Sequence, residues 1–111
     1  MRVPADDRTI TYQIKMAYST DLRIELVERV PGSCWDLHGR CGVHHSGCWS
    51  ADLAADSERL VALGFPIVAH GVDEAGGVAV FSYHQVPGSG LFELVGTESR
   101  AQLAAIVRGD A

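Results

Sequence analysis

The chain has 111 residues, 47% apolar and 21% charged, the composition of a globular domain rather than of a disordered or fibrous chain. Fourteen Asp and Glu against nine Lys and Arg leave a net charge of −5, and the basic residues are scattered singly, which argues against a nucleic-acid surface. No apolar run is long enough for a bilayer and the residues before Thr9 are polar with charges of both signs, so the expectation is one cytoplasmic domain over 1–111 with neither a membrane span nor a secretory leader.

Thr9 to Tyr18 alternates apolar (Ile10, Tyr12, Ile14, Met16, Tyr18) with mostly polar residues, the period of a half-buried strand. Ser19, Thr20 and Asp21 supply a turn. Leu22, Ile24 and Leu26 then alternate again, which predicts an antiparallel hairpin over 1–30. Residues 31–41, with Pro31, Gly32, Ser33, Asp36 and Gly39, read as a linker.

A strand is expected at Gly42 to Trp49, followed by a helix capped by Ser50 or Asp52. Leu53, Ala54, Ser57, Leu60 and Val61 form its inner face, and Gly64 stands where a C-terminal cap belongs. Phe65 to His70, Val78 to His84 and Leu91 to Val95 read as three further strands, with a turn at Asp73 to Gly77 and a loop at Pro87 to Gly90. Residues 97–111 carry a last helix, expected from Glu98 to Arg108 with Thr97 as its cap. Residues 42–96 thus run strand, helix, strand, strand, strand, an α+β pattern.

The chain also repeats itself. Met16 to Glu28 and Phe81 to Gly96 each hold a strand ending in Tyr, a turn, and an apolar residue followed by Glu-Leu-Val. Seven positions lead from Tyr18 to Glu25 and ten from Tyr83 to Glu93, the difference lying in a Gly-rich loop. Two copies of one module are implied. The second is complete, whereas the first is reduced to its last two strands, since nothing before Thr9 reads as an opening strand and helix.

His45-Ser46-Gly47, Asp52-Leu53, Gly64-Phe65 and Phe92-Glu93-Leu94, in that order and spacing, resemble the vicinal oxygen chelate superfamily, the group of glyoxalases, bleomycin-resistance proteins and extradiol dioxygenases. The resemblance covers 42–96 well and Ile10 to Glu28 more loosely. It implies βαβββ modules and a divalent ion (Zn, Ni, Co, Mn or Fe) held by a His from each module's first strand and a Glu from its last. Carried onto this chain, the metal ligands are Glu25, His45 and Glu93. The first module's His would fall before Met1, so three ligands stand where the family has four.

What the resemblance implies further is a metal-dependent enzyme of lyase or isomerase type. The ion would bind neighbouring oxygens of a small substrate and stabilise an enediolate-like anion, while Glu93, or Glu25 second, moves the proton. Trp49, Tyr83 and His84 are candidates to line the substrate pocket. The alternative is a metal-free protein that binds a small molecule, as resistance members do. An uncovered hairpin edge and a missing ligand point to a homodimer.

The same residues have plainer readings. Glu25 and Glu93 could be solvent-facing strand carboxylates, His45 a satisfied core histidine, and the aromatic residues ordinary core. By the two-residue period His44 is expected to turn to the opposite side of the strand from His45. Cys34, Cys41 and Cys48, with His38, His44 and His45 among them, offer a structural zinc knuckle as a rival, but the cysteines stand seven apart where such sites use spacings of two to four. Free, reduced thiols are the expected state.

Overall fold

A computed structural model describes residues 2–5, 8–11, 16–18, 24–36, 42–88 and 90–101. Eight short strands and one α-helix are present among them: β1 (Arg2–Ala5), β2 (Arg8–Thr11), β3 (Met16–Tyr18), β4 (Glu25–Val27), β5 (His45–Ser50), α1 (Leu53–Ala62), β6 (Ile67–Val72), β7 (Val78–Val86) and β8 (Gly90–Gly96). The class is α+β. A mixed four-stranded sheet in the order β5-β8-β7-β6 pairs β5 parallel to β8 and the rest antiparallel.

The N-terminal region departs from the single hairpin that alternation suggests. β2 takes its ladder bonds from β1, with Arg2 opposite Thr11 and Ala5 opposite Arg8. Only β3 pairs with β4, and residues 12–15 and 19–23, the turn expected at Ser19, Thr20 and Asp21 included, lie outside the described residues. The strand expected from Thr9 to Tyr18 is therefore two strands with different partners, and Arg2–Ala5, in the stretch before Thr9 where no strand is expected, is one of those partners. β1 also runs close to β6. A four-residue strand containing Pro4 is too short to show a period, which is why the sequence conceals it.

The helix forms where expected. Asp52 caps it by accepting from the Ala55 amide at 3.2 Å, while Ser50 instead donates to Asp56 at 2.6 Å. At the other end Phe65 N–H reaches the Leu60 carbonyl and Gly64 N–H the Val61 carbonyl, with Gly64 at φ +93°. That is a Schellman cap, and its left-handed residue is what glycine permits without strain. The inner face is narrower than the apolar pattern implies: Leu53 and Ser57 are buried, Leu60 is half-buried, and Ala54 and Val61 are exposed.

The two faces of β7 build two layers. Ser82 and His84 face α1, where His84 is wholly buried. Its Nδ1 lies 3.0 Å from the Phe65 carbonyl, which only accepts, so Nδ1 carries the proton and Nε2 accepts from Ser57 Oγ at 2.9 Å and Ser82 Oγ at 3.0 Å. This satisfied network fastens helix to sheet. Phe81 and Tyr83 face the other way and join Trp35 and Ala69 in the core, with Val27, Val30, Cys34 and Leu91 packed against it.

Trp35 overturns the reading of 31–41 as a linker. It is 3% exposed, and its indole N–H donates to the Tyr83 hydroxyl at 3.1 Å. A tight turn delivers it there. Val30 N–H bonds the Trp35 carbonyl, Ser33 Oγ donates to the Val30 carbonyl at 2.6 Å, and the same Oγ accepts from Trp35 N–H. The segment is an anchor, and residues 37–41 are not described.

At the C-terminus Thr97–Ser99 form a 3-10 turn for which Gly96, not Thr97, is the cap residue, with no side-chain bond. Arg100 and Ala101 are helical, and the remainder of the helix expected to Arg108 lies outside the described residues. No helix among the described residues is long and apolar enough to cross a membrane.

Candidate functional site

The repeated segments fold with one register. Tyr18 stands opposite Glu25, Ala17 opposite Leu26 and Met16 opposite Val27 in the first hairpin. Tyr83 stands opposite Glu93, Ser82 opposite Leu94 and Phe81 opposite Val95 in the second. Glu25 and Glu93 thus occupy the same place in two hairpins of different loop length.

His45 opens β5, the edge strand, which runs beside β8 with Gly47 opposite Glu93. Alternation puts His45, Gly47 and Trp49 on one face, the face that carries Glu93 of β8 and Tyr83 of β7. Gly47 is required there: a Cβ would stand 2.6 Å from the Glu93 carbonyl oxygen and 3.0 Å from the Glu93 Cβ. The His-x-Gly spacing therefore has a physical reason, the close approach of β5 to the strand that carries the carboxylate.

Glu25 and Glu93 converge on one nitrogen. His45 Nε2 is 3.3 Å from Glu93 Oε1 and 3.5 Å from Glu25 Oε1, with all three side chains largely shielded from water. Burial alone would push the His45 imidazole down, but its hydrogen bond to Glu93 and the charges of Glu93 and Glu25 outweigh burial and raise it. Burial also raises the Glu93 carboxyl, against the opposing pull of His45. Both shifts favour a proton held between them.

His44, expected on the far side of the strand, lies beside His45. It precedes β5, so the two-residue period does not govern it. The rings meet edge to face, Nδ1 to Nδ1 at 2.8 Å, and His44 Nε2 lies 2.6 Å from the Cys34 carbonyl. Burial holds the His44 imidazole below its ordinary value, with the neighbouring His45 acting in the same direction. Tyr83 closes the floor, its ring 4.9 Å from that of His45 and 5.2 Å from that of His44, and burial followed by the Glu93 charge raises its phenol.

The remaining candidates separate. Trp49, four residues or two strand periods beyond His45, shares its face, is 38% exposed and carries the Arg100 guanidinium 4.9 Å above its ring. His84 is turned to the helix side and does not meet the cluster. A groove of about 610 Å³ on that side, between α1, β6 and the β6–β7 turn, contains none of Glu25, His45 and Glu93. Cys34 and Cys48 are free thiols, half-buried and exposed; His38 and Cys41 lie outside the described residues.

Among the described residues no group of three or more His, Cys, Asp or Glu is set around an ion-sized centre. The two carboxylates close on Nε2 itself, as they would on an imidazolium N–H. In type, one imidazole and two carboxylates are donors for a divalent ion, and ligand atoms about 2.1 Å from one ion lie about 3.0 to 3.4 Å apart. Nε2 lies 3.3 Å from Glu93 Oε1, inside that range, and 3.5 Å from Glu25 Oε1, just outside it, so the residues fit a divalent ion in kind, while their atoms close on the nitrogen rather than around a common centre. Sequence reasoning reached Glu25, His45 and Glu93 through the repeat and the resemblance, and missed His44 and Trp35. A large aromatic set among turn formers was the available signal for Trp35. No protein-family model, curated protein or solved structure matches the chain, so its function rests on this cluster.

Proposed function

We propose that the chain is a metal-dependent protein of the vicinal oxygen chelate type, with 42–96 as a βαβββ module and Glu25, His45 and Glu93 as ligands. One observation carries the reading: two glutamates at the same register position of two hairpins meet at a single imidazole nitrogen. Recurrence of a position in a repeat is hard to obtain from solvent-facing carboxylates, which have no reason to converge.

When bound, a divalent ion (Zn, Ni, Co, Mn or Fe) would polarise neighbouring oxygens of a small substrate. The chain's own residues do the rest. Glu93, its carboxyl raised by burial, is suited to take and return a proton at Oε1, with Glu25 second. Tyr83 excludes water from beneath His45, and Trp49 offers an aromatic surface to a substrate lying along β5. The reaction class is a proton-transfer lyase or isomerase reaction. We place the protein in the cytoplasm, where thiols stay reduced, and propose a homodimer in which the first-module hairpin, a two-stranded sheet of its own at β3 and β4, meets a second copy. Light scattering that finds only monomer at micromolar concentration would remove the dimer.

The test of the function is elemental analysis and zinc titration of untagged protein. Wild type is expected to take up one equivalent, and His45→Ala or Glu93→Gln to lose tenfold or more in affinity, about 1.4 kcal/mol. A wild type that takes up none of the five ions would overturn this reading in favour of a metal-free small-molecule binder.

A further inference from the structure

Donors and acceptors around His44 can be assigned one after another. The Cys34 carbonyl only accepts, so the 2.6 Å contact requires a proton on His44 Nε2. In a neutral ring that leaves His44 Nδ1 as an acceptor. The 2.8 Å contact between the two Nδ1 atoms then requires the proton on His45 Nδ1. A neutral His45 is left with a bare lone pair at Nε2, the atom that faces Glu25 and Glu93.

We infer that His44 is a positioning residue: as the acceptor for His45 Nδ1–H it fixes the tautomer in which Nε2 points an unprotonated lone pair between the two carboxylates. The inference rests on the metal reading of the site for its purpose, but not for its geometry. A lone pair set between two carboxylates is repulsive unless a cation stands there. A proton makes His45 an imidazolium, and a divalent ion takes the same place. The relay runs from the Cys34 carbonyl through His44 to His45, and Trp35, next in the chain to Cys34, is locked into the core by its bond to Tyr83. A backbone carbonyl anchored in this way orients the ligand through an intervening ring, the part that a carbonyl or carboxylate plays directly in many metal sites.

Two readouts test it. In ¹⁵N-labelled protein without added metal, at pH 6, a scalar coupling across the N–H···N bond should link the two Nδ1 atoms, with the proton on His45 and with His44 protonated at Nε2. A proton on His44 Nδ1 instead, or no coupling, would overturn the assignment. In zinc titration His44→Phe, which keeps a ring but accepts nothing, should weaken binding at least tenfold, and His44→Asn, whose Oδ1 can accept from His45, should recover most of it. Equal zinc affinity in His44→Phe and wild type would overturn the positioning role. A wild type that shows the coupling yet takes up none of the five ions would overturn the metal reading and leave the proton assignment standing.

Discussion

Cys34 shows how one residue can divide its duties between main chain and side chain. Its carbonyl accepts from His44, while burial pushes its thiol up to about 11. Cys48, two residues after Ser46 on the edge strand, is exposed. Since the thiolate is the reactive form, alkylation of the folded protein at pH 8 should modify Cys48 at least about tenfold faster than Cys34, read by peptide mapping. In urea the two rates should converge. Equal rates in the folded chain would mean that the turn at 30–36 opens freely and cannot anchor the relay.

His44 and His45 also illustrate what alternation can and cannot supply. Period two assigns faces only inside a strand, and β5 starts at His45, so the neighbour one residue earlier is free to lie against it. The stability consequence can be signed. His45 is raised above its ordinary 6.5, so its contribution is fully present below that pH and is lost as pH rises through the higher folded value. Metal-free protein should therefore lose stability from pH 6.5 upward in urea unfolding, and His45→Ala should not. His44, shifted down, acts in the opposite sense and below 6.5. A wild-type slope equal to that of His45→Ala would show that no proton is retained at the cluster.

At the scale of elements, β5 and β8 are held together by an absence. Gly47→Ala would drive a methyl group against the Glu93 backbone, and main chain in a paired strand gives way less readily than the tip of a side chain. Overpacking of this kind costs about 1–3 kcal/mol, to be read by denaturant unfolding. Because the displaced residue is Glu93, zinc affinity should fall as well. Unchanged stability in Gly47→Ala would mean that β5 is not closely paired with β8.

The helix, its caps, the β6–β7 turn at Asp73 and Gly77 and the three strands that follow the helix were legible because their signals are local. Capping chemistry and periodicity act within a few residues. β1, the division of Thr9 to Tyr18 and the burial of Trp35 depend on partners far along the chain, such as Tyr83 for Trp35, and no local pattern encodes them. The site falls between these cases. Its glutamates were found because a repeat converts a distant relation into a comparison of two local ones.

At the scale of the whole molecule, the site is shared out along the chain. Glu25, His45 and Glu93 come from the first-module hairpin, the edge strand and the last strand of the sheet, so no single element holds the cluster. A ligand that needs all three binds only the folded chain and stabilises it by mass action, about 2.7 kcal/mol at a hundredfold excess over Kd. Zinc at that excess should raise the urea midpoint of wild type and leave that of Glu93→Gln nearly unchanged at the same concentration.

The chain's two tryptophans stand in contrasting surroundings, one sealed in the core against Tyr83 and Phe81, the other open to solvent beneath Arg100. This makes the molecule its own optical instrument. Emission from Trp35 should be blue-shifted and protected from iodide, and Trp49 should be red-shifted and readily quenched. Trp35 adjoins the carbonyl at the root of the histidine relay, so a paramagnetic ion such as cobalt arriving at His45 would dim the blue component first. Loosening of the sheet edge would instead be seen in the red. Events at the cluster and at the edge can thus be followed separately in unmodified protein.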